Sequence, residues 1–233
     1  MKRAFVFVAS AVAFATTSAD AGVLGFSSFT RTVSNGNTVI DVFAVMSNAS
    51  DRLLNIDNAN LTTTQGGSTP STYVQQAGIA TRFWEPVVFS SARSNIVDSF
   101  VTIGVDGGAP YNGEYYASAV TIVFGRGDQV LLNAGWFLST TLPGNLAESM
   151  SGMTGTRTDS SAAAAGSNLG VWCAHLVIAP GNVGERWWNA TAAAKDGVTG
   201  ATVMNTGTMN MVPAPGALAL LGVAGFASRR RRK

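Results

Sequence analysis

An all-β fold, specifically a β-sandwich with a jelly roll as its nearest relative, is what this sequence predicts. Three observations carry that expectation. The stretch between the two ends of the chain is rich in Gly, Thr, Ser, Asn and Val and poor in Lys and Glu. Its apolar runs are short and are broken by turn residues, which is the pattern of strands separated by tight connections. And Ser34-Asn35-Gly36-Asn37 lies between two such runs, where Asn-Gly supplies the positive φ of a hairpin turn.

Taken in order, the first hairpin joins Phe26–Val33 to Thr38–Met46. Further strands are predicted at Leu53–Asn58, Ser99–Val105, Ala117–Phe124, Gln129–Leu138, Gly170–Ile178 and Thr202–Met211, with a shorter one at Arg186–Asn189. Asp106-Gly107-Gly108 and Gly125-Arg126-Gly127-Asp128 read as turns, the second between adjacent strands. The runs Val120–Phe124 and Val171–Ala179 are apolar on both faces, as expected of central strands covered on both sides. Thr62–Gly78, with Gly66-Gly67 and Pro70, reads as a long loop. Leu146–Ser167, which contains Ala162–Ala165, reads as a short helix or a surface excursion.

The ends differ from the body. Met1–Ala21 has Lys2 and Arg3, an apolar stretch from Ala4 to Ala15, and small residues at Ala19 and Ala21, the three parts of a secretory signal cleaved after Ala21. Its apolar stretch is shorter than the ~20 residues a spanning helix needs. Signal peptidase and the Sec machinery are therefore expected partners. Val212–Ser228 is uncharged over seventeen residues and is followed by Arg229, Arg230, Arg231, Arg232 and Lys233. As a helix it would reach ~25 Å against a hydrocarbon core of ~30 Å, and the cations resist translocation, so a transmembrane helix with its end on the cytoplasmic side is predicted. Pro213 and Pro215 disfavour helix and mark the junction with the body. The expected division is thus 1–21, 22–211 and 212–233, an ectodomain of 190 residues between a cleavable signal helix and a membrane helix.

Charge follows the same division. Between Gly22 and Ser228 lie eight cations and twelve anions, so the body is acidic and the basic pI near 8.9 comes from the ends. The cations of the body are scattered singly and form no stripe for phosphate backbones, which argues against a nucleic-acid partner. Cys173 is the only cysteine, so no intramolecular disulfide forms; export without disulfides suits a bacterial envelope or surface protein.

Val212-Pro213-Ala214-Pro215, the apolar run to Ser228 and the cluster from Arg229 to Lys233 resemble the PEP-CTERM sorting signal of bacteria that make exopolysaccharide. Such a segment also goes by the name ice-binding protein C-terminal domain, a name that describes the tail. The resemblance implies recognition by an exosortase, a membrane-embedded cysteine protease or transpeptidase. It would remove the tail and release the body or attach it at the surface, in contact with exopolysaccharide. Ala214 departs from the pattern, which has Glu between the prolines. The resemblance covers the last 22 residues and concerns trafficking alone. Within the body, Phe43–Leu61 together with Asp98–Gly104 and Ala134–Phe137 is similar to the β-rich ectodomains of surface proteins that bear such tails, and no catalytic residues come with that similarity.

Chemistry is sparse. His175 is the only histidine and follows Cys173 by two residues in a predicted strand; residues so spaced share a face, so a Cys–His pair is conceivable, although a buried structural pair is the expected reading. Gly-x-Ser-x-Gly and His-Glu-x-x-His are both missing, which removes the nucleophile elbow and a familiar zinc site. Glu85, Glu114, Glu148 and Glu185 are isolated along the chain and read as solvated surface, not as a glycosidase pair. Asp51, Asn55, Asp57, Asn58 and Asn60 are dense in oxygen but match no EF-hand spacing, and read as turn and strand-end residues. Arg126-Gly127-Asp128 reads as a hairpin loop. No cofactor and no metal are implied. Trp187 and Trp188 are the candidates for stacking on a sugar ring, and in a strand they point to opposite faces, leaving at most one of them exposed. Trp84, Trp136, Trp172, Tyr111, Tyr115 and Tyr116 are further candidates for stacking, and core packing is the expected role for most of these aromatics. The leading expectation is a noncatalytic exported surface or matrix protein; a carbohydrate-binding module or adhesin is the alternative, and a secreted hydrolase a more distant one.

Overall fold

The computed structural model describes residues 22–74, 84, 93–104, 120–123, 131–138, 145–161, 163, 167–182 and 184–212. Among these there is no α-helix, and the regular structure is strand. The strands are β1 (Val23–Thr32), β2 (Thr38–Met46), β3 (Arg52–Thr62), β4 (Phe100–Val101), β5 (Val120–Val123), β6 (Ala134–Leu138), β7 (Glu148–Ser149), β8 (Thr156–Asp159), β9 (Leu169–Ile178), β10 (Arg186–Lys195) and β11 (Thr202–Val212). They form two antiparallel sheets, one in the order β4-β9-β2-β1-β8 with β7 also on β9, the other in the order β11-β10-β3-β6-β5. The all-β expectation holds.

Between the sheets lies one apolar core. The first sheet contributes Phe26, Ile40, Val42, Val171 and Leu176; the second contributes Leu53, Ile56, Trp136, Trp188 and Met209. Phe26 meets Trp188 edge-on at 5.4 Å, and Trp188 meets Trp136 at 6.1 Å, the geometry in which aromatic quadrupoles attract. Gly207 makes room for that contact: a Cβ there would stand 2.7 Å from the Phe26 ring.

The predicted first hairpin is present. Thr32 pairs with Thr38, Gly36 adopts φ +82°, and its amide donates to the Val33 carbonyl at 2.9 Å while Asn37 N donates to the Asn35 side chain at 3.0 Å. Positive φ without a Cβ penalty is what the turn asks of that position.

The first sheet is covered on both sides. Every residue of β2 is buried, and a second apolar cluster of Phe29, Phe43, Val45, Phe100, Met150, Ala163 and Trp172 lies on its outer face. The two-sided apolar run that predicted a central strand at Val171–Ala179 does form β9, between β4 and β2. The run at Val120–Phe124 also forms a strand, β5 (Val120–Val123), the last of the second sheet among the described residues.

Two strand ends are corrected. The strand read as Arg186–Asn189 runs on to Lys195 through Ala190, Ala192, Ala193 and Ala194; alanine has no β preference of its own, and pairing with β3 on one side and β11 on the other imposes the conformation. Within Leu146–Ser167 the described residues include β7 and β8, β8 pairing with β1 from Ser27–Asp159 to Thr30–Thr156, while residues 162 and 164–166 lie outside the described ones. β3 likewise continues past Asn58, which absorbs a bulge at φ +48°. The predicted turns at Asp106–Gly108 and Gly125–Asp128 lie outside the described residues, although β5 and β6 flanking the second are antiparallel neighbours.

Candidate functional site

Cys173 and His175 do not form a pair. Opposite β2 the register runs Asp41–His175, Val42–Ala174, then Phe43–Trp172, so Cys173 is the extra residue of a bulge. The bulge turns Cys173 into the core between the sheets, where its thiol donates to the Val42 carbonyl at 3.2 Å and burial pushes its pKa well up. His175 faces the other way, stacked on Phe100 at 4.9 Å and edge-on to Trp172 at 5.9 Å. The shared face inferred from spacing assumed an unbroken strand.

On that outer side His175 belongs to a buried charge network. Its Nδ1 is 2.7 Å from Asp41 Oδ1, and its Nε2 is 2.9 Å from the Asn95 carbonyl, an acceptor only, so Nε2 carries a hydrogen. Asp41 Oδ2 accepts from the Arg31 guanidinium, which also donates to the Arg93 carbonyl. The side chains of Asp41 and His175 have no solvent exposure. The network therefore ties the 93–100 segment to the sheet, with Asp41 and His175 closed to solvent and Arg31 partly exposed.

Exposed chemistry sits on the outer face of the second sheet. Alternation along β10 sends Trp188, Ala190, Ala192 and Ala194 inward and leaves Trp187, Asn189, Thr191 and Lys195 outward. Register then sets Asn60 and Thr208 beside Asn189, Asp57 and Thr206 beside Thr191, and Asn55 beside Ala193. Thr191 and Thr206 hydroxyls meet at 2.8 Å, and Thr208 donates to Asn189 at 3.3 Å. Trp187, half-buried, donates from its indole to Glu185 at 3.2 Å. The result is a row of hydroxyls and amides with an aromatic ring at one end, interrupted by exposed Met204 opposite Ala193 and exposed Phe137 opposite Asn55.

At the other end of β10 the face runs into a pocket of about 930 Å³ between the β2–β3 turn, the β10–β11 turn and Asn145-Leu146. Arg52 and Lys195, register partners across β3 and β10, both line it. Arg52 donates to Asn145 Oδ1 at 3.0 Å, and the buried Asn145 amide in turn donates to the Leu53 carbonyl at 3.1 Å, so the guanidinium is held from behind. The carboxylates nearby are committed elsewhere. Asp51 accepts from Ser47, Asn48 N and Gly197 N. Asp196 accepts from the Thr199 hydroxyl and the Val198 and Thr199 amides, and its pKa is lowered, first by the Thr199 side chain and then by Val198. Gly197 allows the two turns to touch, since a Cβ there would stand 2.2 Å from the Ser50 carbonyl oxygen. Among the described residues neither Arg52 nor Lys195 makes a salt bridge.

Of the residues singled out from sequence, Trp188 is buried and Trp187 is the outward one of the two, as the strand geometry required. Trp84, Trp136 and Trp172 are buried. Ala19, Ala21, Pro213, Ala214, Pro215 and Arg229–Lys233 lie outside the described residues, as do Glu85, Glu114, Arg126–Asp128 and the three tyrosines 111, 115 and 116. Val212 ends β11, paired with Arg186 and packed in the core. The described residues contain no group of three or more His, Cys, Asp and Glu that could hold a metal ion, and no helix long and apolar enough to cross a membrane. The oxygen-rich stretch splits: Asp51 is in a turn, while Asn55, Asp57 and Asn60 are on β3. Sequence reasoning missed Arg52 and Lys195, which become neighbours only through pairing of strands far apart in the chain.

Among the described residues, fold and face together define an antiparallel all-β protein with two sheets around one core and an exposed sheet face of polar side chains with Met204 and Phe137 among them. The sequence matches no protein-family model, no curated protein and no solved structure.

Proposed function

We propose that this chain is a noncatalytic β-sandwich protein exported to a bacterial surface or extracellular matrix. In this reading Met1–Ala21 directs export and is removed, and Val212–Lys233 is a PEP-CTERM-like sorting tail that an exosortase-type enzyme reads in the membrane. The observation that carries it is the three-part layout of the tail, with Pro213 and Pro215, an uncharged run and five terminal cations. Two features of the fold support it. β11, at one edge of the second sheet among the described residues, runs to Val212, immediately before Pro213. At the other end Gly22, the first residue after the proposed cleavage, is tied to Ser47 by its amide at 2.7 Å and by its carbonyl at 2.9 Å.

Mass spectrometry of the protein from cells and medium tests this directly. A mature species beginning at Gly22 and lacking the tail is expected, and a precursor retained in the membrane should change its distribution when Arg229–Lys233 are deleted. An intact N-terminus on a cytoplasmic product, or processing indifferent to that deletion, would overturn the assignment.

A second reading is favoured by the position of Trp187. An outward indole at the end of a row of Asn and Thr side chains suits contact with a polysaccharide, the ring stacking on a sugar face and the row supplying donors and acceptors. A glycan array with the full chain tests it, and uniform silence would remove it.

A further inference from the structure

The geometry points to a second contact on that same face: the pocket at the far end of β10 takes the carboxylate of an acidic polysaccharide, with Arg52 and Lys195 as its two cationic contacts. Like charges directly opposite one another on adjacent strands repel and destabilise a sheet unless a counter-charge lies between them. Here the register places Arg52 opposite Lys195, and neither finds a carboxylate among the described residues. The two anions that could have served, Asp51 and Asp196, are turned into the turns and saturated by amide and hydroxyl donors.

Arg52 is also pre-set. Asn145, only 2% exposed, holds its guanidinium and is itself fixed to the Leu53 carbonyl, so little rotamer freedom is lost when an anion arrives. Lys195 is exposed and lines the same pocket. The pocket is large enough for a sugar ring with its carboxylate, and it lies about 26 Å along β10 from Trp187, so one extended glycan chain can reach both. It lies at the opposite end of β10 from Arg186, the register partner of Val212.

The inference rests on reading the second sheet's outer face as glycan-contacting, and the experiment separates the two. Full-length protein in detergent is titrated calorimetrically with an oligogalacturonate and with its fully methyl-esterified counterpart, of equal length and no charge. The acidic probe should bind about tenfold or more tighter than the ester, the worth of a charge-assisted hydrogen bond or two. Arg52→Gln and Lys195→Gln should each erode that preference and the double variant should abolish it, with circular dichroism melting confirming an intact fold. Trp187→Ala should weaken both probes alike. Equal affinity for the two probes, or preference unchanged in the double variant, would overturn the carboxylate pocket while leaving the glycan face standing. Binding of neither probe would overturn both and leave the export reading untouched.

Discussion

Asp41 sits without solvent exposure between Arg31 and His175, and its value lies in what its removal leaves behind. Asp41→Ala strands a guanidinium and an imidazole against an apolar cluster, so a loss of about 3–5 kcal/mol is expected in urea unfolding. Asp41→Asn, which keeps one acceptor, should lose less. The adjacent tryptophans make a second residue-level test. Trp188→Ala empties a site with no exposure, packed on Phe26 and Trp136, and should cost about 3–5 kcal/mol. Trp187→Ala, one residue away but on the outer face, should cost about 1 kcal/mol or less. Equal losses for the two would mean that β10 does not alternate as described. The alternation was legible from the sequence, since neighbours in a strand point apart. Which of the two turns inward was not, because that depends on which face of the second sheet meets Phe26.

At the level of elements, the bulge in β9 and the turn after β10 each redirect chemistry. The bulge separates Cys173 from His175, and nothing in Val-Trp-Cys-Ala-His announces it, since a bulge arises from how β9 fits against β2. The turn Asp196–Gly200 was equally silent before its carboxylate was seen to cap it. Asp196 has a lowered folded-state pKa, so its stabilising effect is fully present above the ordinary carboxylate value of ~3.9 and is lost as pH falls through the lowered one. Asp196→Asn should therefore be less stable than the parent chain at neutral pH, and the gap should close on acidification below pH 4. A gap constant across pH would show that the charge is not what stabilises the turn. Alanine-rich β10 teaches a related point: local preference was too weak to mark the strand beyond Asn189, and two flanking partners decided it.

For the molecule as a whole, both layers of cover over the first sheet matter. The thiol of Cys173 lies inside that cover, fully buried and with a raised pKa. Reaction with a thiol reagent at neutral pH should be undetectable in the native protein and should appear with the same midpoint as loss of the β signal on unfolding. Labelling well before that midpoint would mean that the sheets separate locally. By itself the sequence determined the all-β class, the first hairpin, the position of β9 and the opposed tryptophans, because each depends on neighbours within a few residues or on a run of one composition. Only the tertiary structure decided that Cys173 and His175 part company, that Asp41 collects Arg31 and His175, and that Arg52 and Lys195 line one pocket. Those outcomes join residues 10 to 143 positions apart, and register between strands, which sets them, is a property of the assembled sheets and of no single stretch of chain.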